Sequence, residues 1–165
     1  MQTEHDSGSG TTPEGDSAMP KPGQSEIRQR RQAREVALQA MYEIDCVQHK
    51  PGFVVDERLR ATALGEHGAA FLRWLISGVM RNQAELDLLI GELAPDWPVK
   101  QLAVIDRSLL RLALYEIGAE ASDAPPKVVI NEAVELAKLY GSDSTPRFVN
   151  GVLGAALKRG IGTFE

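Results

Sequence analysis

Apolar residues recur at helical spacing along most of this chain. From Glu26 to about Val47, the residues Ala33, Val36, Ala37, Ala40, Met41, Ile44 and Val47 fall on one face of a helix. Pro51-Gly52 ends that segment. A weaker helical stretch over about 56–64 closes at Gly65. A third helix is predicted from about Gly68 to Leu93, carrying Phe71, Leu72, Leu75, Ile76, Val79, Leu86, Leu89 and Ile90. Pro95 and Pro98 then bracket Trp97 in a connector that is not continuous helix. Beyond it, 101–117 is strongly apolar, and 127–140 is a helix with Gly141 placed as its C′ glycine. A last helix, capped by Asp143 or Ser144 and tolerating Pro146 in its first turn, carries Phe148, Val149, Val152 and Leu153. Nowhere do β-branched residues alternate over a useful length. The pattern predicts an all-α fold: a helical bundle of about six to seven helices in two packed halves, roughly 26–94 and 99–160, hinged near Pro95–Pro98.

Composition changes this picture mainly at the N-terminus. Residues 1–25 are rich in Gly, Ser, Thr and Pro, and offer little apolar surface to offset the entropy of ordering. They are expected to be a disordered acidic tail ahead of a helical domain spanning 26–165. Setting aside the four acidic residues and one lysine of that tail leaves 19 acidic and 17 basic residues in a chain of net charge -5. Most of the surface should therefore repel polyanions. No apolar run approaches the roughly 20 residues of a membrane-spanning helix, and no secretory signal pattern opens the chain. The single cysteine, Cys46, permits no internal disulfide. A soluble cytoplasmic protein without a membrane partner is expected.

Catalytic and metal-binding patterns are missing from the sequence. His5, His49 and His67 are scattered, with no His/Cys cluster at ligand spacing. Neither a phosphate-binding glycine loop nor a nucleophile elbow occurs. No enzymatic activity, metal or cofactor is expected.

One local feature stands against the acidic background. Arg28, Arg30, Arg31 and Arg34 open the first helix. Arg31, Arg34, Leu38 and Tyr42 lie at i, i+3, i+7 and i+11, so a cationic row runs into an aromatic ring along one flank. Guanidinium groups track a phosphate backbone, and a ring offers a base a stacking platform. The competing reading is a solvated face, with Arg31 paired to Glu35 and Tyr42 packed against another helix. Periodicity alone leaves both open.

The second half carries a family resemblance. The segments DRSLLRLALYEI (106–117), INEAVELAKLYG (130–141) and RFVNGVLGAAL (147–157) resemble the C-terminal half of the NusB family of transcription antitermination and ribosomal-RNA processing factors. RRQAREVALQAMYEID (30–45) is similar to the family's arginine-rich first helix. The likeness covers roughly 26–160, with the motifs in order, and leaves the acidic tail outside. It implies an all-helical fold in two halves and no catalytic activity. It also implies binding to the boxA element of ribosomal-RNA leader transcripts together with NusE, a small-subunit ribosomal protein, within an RNA polymerase antitermination complex.

By the same resemblance, Arg30, Arg31 and Arg34 match the family's basic motif, interrupted here by Gln32, with Arg28 one turn earlier. Phe148 matches an aromatic that the family places at the RNA surface, Tyr42 the tyrosine of the first helix, and Asp106 an acidic position facing NusE. Tyr42 and Phe148 are the candidates to hold unpaired bases. Ser144 stands where some relatives carry an acidic residue. Trp74 and Trp97 are expected to pack between the two halves. A homodimer is left open as a further partner. Two rivals also stay open: a protein-interaction bundle with no RNA role, and the accessory domain of ribosomal-RNA cytosine methyltransferases. The second lacks its cofactor-binding and cysteine motifs here.

Overall fold

The computed structural model describes residues 23–165, and every described helix belongs to one bundle. The elements are α1 (Gln24–Val47), α2 (Pro51–Ala61), α3 (Gly65–Arg81), α4 (Gln83–Leu93), a single 3-10 turn at Val99–Gln101, α5 (Val104–Gly118), α6 (Pro126–Tyr140) and α7 (Thr145–Arg159). The tail expectation falls on residues outside those described, except at its end: Gln24 and Ser25 already lie in α1.

The bundle is organised around α5. Ser108 through Glu116 are all buried, nine residues in succession. A helix covered on every side belongs at the centre of a core. Helices α1, α3 and α4 pack on it from the first half, and α6 and α7 from the second. One continuous apolar cluster therefore runs through both halves. Two charges inside α5 are matched by neighbouring helices. Arg111 donates to both oxygens of Asp87 on α4, at 2.7 and 2.8 Å, and to Asp45 on α1 at 3.3 Å. Glu116 receives Arg34 from α1. A buried ion stays charged only when its partners replace water in this way.

Three boundaries differ from the pattern. The long helix expected over 68–93 is broken at Asn82, whose φ of -108° and ψ of 15° separate α3 from α4. Its side-chain amide donates to Gly78 O at 2.8 Å and to the Glu165 carbonyl at 3.0 Å. An asparagine that bonds backbone in this way competes with the helical ladder, so apolar spacing alone did not reveal the break. Pro51 does not merely end α1 but occupies the first turn of α2, where its fixed φ suits a helix start. Gly141 is extended, with φ -90°, rather than left-handed. What demands glycine there is proximity: a Cβ would lie 2.5 Å from Thr145 Cβ.

Trp74 packs between halves as expected, its ring 5.1 Å from that of Tyr115 on α5. Trp97 does not. It is 62 % exposed on the connector between α4 and α5.

After α7 the chain returns along the bundle. Phe164 N donates to Gly118 O at 2.9 Å, and Glu120 N to Phe164 O at 3.1 Å, forming a one-residue parallel bridge. The Phe164 ring is buried against Tyr115. This clasp follows the last helical pattern and was missed from sequence. Phe164→Ala is expected to destabilise the protein by about 3 kcal/mol, the lower end for burying a lost phenyl ring. Urea unfolding followed by circular dichroism measures it; a loss under about 1 kcal/mol would make the clasp a frayed end.

Candidate nucleic-acid interface

The first helix positions the arginines because its buried arc, containing Ala33, Val36, Ala37, Ala40 and Met41, is fixed against the core. The remaining arc is dictated by 100° per residue. Arg28, Arg31 and Tyr42 fall together on the outer side and all three are exposed, Tyr42 by 47 %. Arg30 and Arg34 turn inward instead.

Each inward or flanking arginine meets a carboxylate of the α5–α6 region, so the group fans out over that hairpin. Arg34 makes a two-pronged contact with Glu116, with nitrogen–oxygen distances of 2.5 to 3.2 Å, and the side chains are only 10 % and 3 % exposed. Its guanidinium also lies 5.2 Å from the centre of the Phe71 ring. In that position Arg34 joins α1 to α5; it is not turned to a phosphate outside. Arg30 donates to both oxygens of Asp123, at 2.5 and 3.1 Å, and through Nε to His67 Nε2 at 2.9 Å. The bond from Arg30 is the main reason the Asp123 carboxyl is held below the usual carboxylate range. The same bond pushes Arg30 up. This link is complete above the ordinary aspartate range and is lost as pH falls through the lowered Asp123 pKa.

Arg31 pairs with Glu132 on α6 at 3.0 Å, not with Glu35, and its side chain remains 65 % exposed. A pair this open contributes at most about 1 kcal/mol and is readily exchanged for a phosphate. Farther along, Tyr140 of α6 donates to Glu35 at 2.5 Å and accepts from Gln39 at 2.9 Å. The bond to Glu35 is the first reason its phenol is pushed up. These bridges make a polar seam between α1 and α6, which run in the same direction. Tyr42 borders the end of that seam, in a groove of about 290 Å³ shared with Leu38, Ile105, Arg58 and Tyr140.

Tyr42 stands on α1 and Phe148 on α7. Phe148 is half-buried against the core. Asp106, in the first turn of α5, accepts a hydrogen bond from Thr145 Oγ1 at 2.8 Å, which fixes the start of α7 and orients the carboxylate. Ser144 precedes α7 without a side-chain capping bond. Of the carboxylates that pair with the arginines, Glu116 and Asp123 were not among the residues singled out from sequence. One signal pointed to the first: Glu116 is the only acid in the apolar run from Ser108 to Ile117. Among the described residues, no group of His, Cys, Asp and Glu is arranged to hold a metal ion. No described helix is long and apolar enough to cross a membrane.

Comparison with known proteins agrees with this architecture. The NusB family pattern matches residues 31–158. The transcription antitermination protein NusB of Roseiflexus sp. (strain RS-1) is 47 % identical over 131 residues, covering 79 % of this chain and 92 % of the relative. That of Chloroflexus aggregans is 45 % identical, covering 79 % and 88 %. Among solved structures, T. maritima NusB superposes with a TM-score of 0.74 at 30 % identity, covering 80 % of this chain and 92 % of that one. A structure of the antitermination factors NusB and NusE in complex with dsRNA gives 0.71 at 25 % identity, covering 81 % and 99 %. With a matched stretch running from the outward arginine of α1 to the end of α7, this chain belongs to the NusB family.

Proposed function

We propose that this protein is a transcription antitermination factor that binds boxA-type single-stranded RNA jointly with NusE, as part of an antiterminating RNA polymerase complex that promotes ribosomal-RNA transcription. It acts by binding, not by catalysis, in the cytoplasm where transcription occurs. The observation that carries this reading is the row of Arg28, Arg31 and Tyr42, exposed together on one side of α1 in a chain of net negative charge. Arg28 and Arg31 supply phosphate contacts, and Tyr42 a ring for an unpaired base. Arg30 and Arg34, tied to Asp123 and Glu116, hold the helix in place. Phe148 contributes a second ring from α7. Asp106, oriented by Thr145, offers NusE a carboxylate for a basic residue.

The test is a binding titration with labelled boxA RNA, with and without NusE, at several salt concentrations. Arg28→Ala should flatten the salt slope of log K by about 0.7, the single-strand value for one phosphate contact. Arg31→Ala should weaken binding with a smaller change in slope. In the wild type, Glu132 is released when Arg31 engages RNA and takes up cations of its own. No ternary complex at any salt concentration would overturn the RNA reading; unchanged slopes in both variants would remove the arginines from it.

A further inference from the structure

Behind Arg30 lies a cleft of about 260 Å³ that the phosphate contacts leave unused. We infer that it receives one nucleobase of the bound RNA, turned out of the strand and stacked on Trp74. The inference rests on the RNA reading above and adds a base-recognising subsite to it.

The cleft is built from Arg30 on α1, His67, Phe71 and Trp74 on α3, and Ser122 and Asp123 in the loop before α6. Phe71 and Trp74 are half-buried, their ring centres 5.5 Å apart and tilted by 34°, so they form an aromatic floor open on one side. Arg30 is held at the mouth, 5.2 Å from the Phe71 ring centre, by His67 and Asp123.

Charge decides what fits inside. The Arg30 cation is already balanced by Asp123, and Glu116 in the inner wall is balanced by Arg34. A phosphate or carboxylate entering here would face two acids with no free cation. The favoured occupant is neutral, flat and able to hydrogen-bond. The available groups match that description. Because Arg30 Nε donates to His67 Nε2, the neutral imidazole carries its proton on Nδ1, which becomes a donor. The Ser122 hydroxyl and the Trp74 indole N–H have no hydrogen-bond partner among the described residues. Pockets for drug-sized ligands start near 300 Å³, so this volume suits one ring system better than a larger molecule. The cleft and the Arg28–Arg31 face lie on opposite flanks of α1, separated by about 10 Å, the width of a helix. A strand crossing the start of α1 spans that distance within a nucleotide or two.

The chain's two tryptophans make the test direct. Trp97→Phe removes the exposed indole of the connector and leaves Trp74 as the only reporter from this chain. The variant is titrated with fluorescein-labelled boxA RNA in the presence of NusE, whose own emission is subtracted, while anisotropy records binding independently. Trp74 emission should quench and saturate in step with the anisotropy. Trp74→Leu should weaken RNA binding by about tenfold, within the range for losing one base–aromatic stack, and Trp74→Phe should restore most of it. Since Trp74 also touches Tyr115, Ser122→Ala provides a variant that leaves the core alone; it should weaken binding by roughly threefold. Full binding by anisotropy with unmoved Trp74 emission and wild-type affinity for Ser122→Ala would overturn the base site and leave the RNA reading standing. Absence of any RNA binding would overturn both.

Discussion

Arg34→Ala is expected to destabilise the protein by about 3–5 kcal/mol, because it strands the Glu116 carboxylate in the core. The loss should appear as a lower urea midpoint with an unchanged slope. Sequence pattern alone groups Arg34 with Arg28 and Arg31, yet the three should behave differently. Arg28→Ala and Arg31→Ala remove exposed groups and should change stability by less than about 1 kcal/mol. A paired replacement separates structure from recognition. Arg34→Met with Glu116→Leu removes both buried charges and keeps comparable volume, so it should recover most of the stability. If RNA binding also stays near wild type in that double variant, Arg34 acts only as an internal tie. A loss of RNA affinity in a fully folded double variant would return Arg34 to the binding surface.

Gly78→Ala is expected to cost about 3–5 kcal/mol, a large effect for adding one methyl group. An added Cβ would stand 1.8 Å from Tyr115 Cζ and 2.2 Å from both Cε1 and the phenol oxygen. Tyr115 cannot step aside: it is 1 % exposed and enclosed by Trp74 and Phe164. Either the ring leaves the core, forfeiting burial on the scale of a Phe→Ala change, or α3 and α5 move apart. Thermal unfolding of Gly78→Ala, Tyr115→Ala and the double variant measures the contact. The double variant should be more stable than the sum of the singles predicts, by about 1–3 kcal/mol. Simple additivity would mean that the two residues do not share this space.

The helices were legible because amphipathic spacing survives in each of them, and α5 was legible as strongly apolar. Its full burial was not, since a run such as Leu109–Tyr115 reads as a rich face until its neighbours are known. The break at Asn82 was hidden because Val79 and Leu86 are seven residues apart, which a straight helix accommodates as well as a bent one. For the interface, spacing put Arg31 and Tyr42 on one flank, and the fold exposes both. The inward turn of Arg30 and Arg34 depended on acids 82 to 93 residues away. Pairings at such a distance leave no periodic trace. The cleft beside Trp74 was invisible for the same reason: it joins α1, α3 and the loop before α6.

The burial of α5 on every side has a consequence for dissection and for communication within the molecule. Cutting the chain at Pro95–Pro98 would leave α1, α3 and α4 without the helix that covers them, so neither half is a folding unit by itself. Opening any outer helix from α5 exposes part of the same core, which ties local fluctuations to global ones. Whatever fastens α1 therefore protects α7 as well, through a helix that never meets the solvent along its middle two turns.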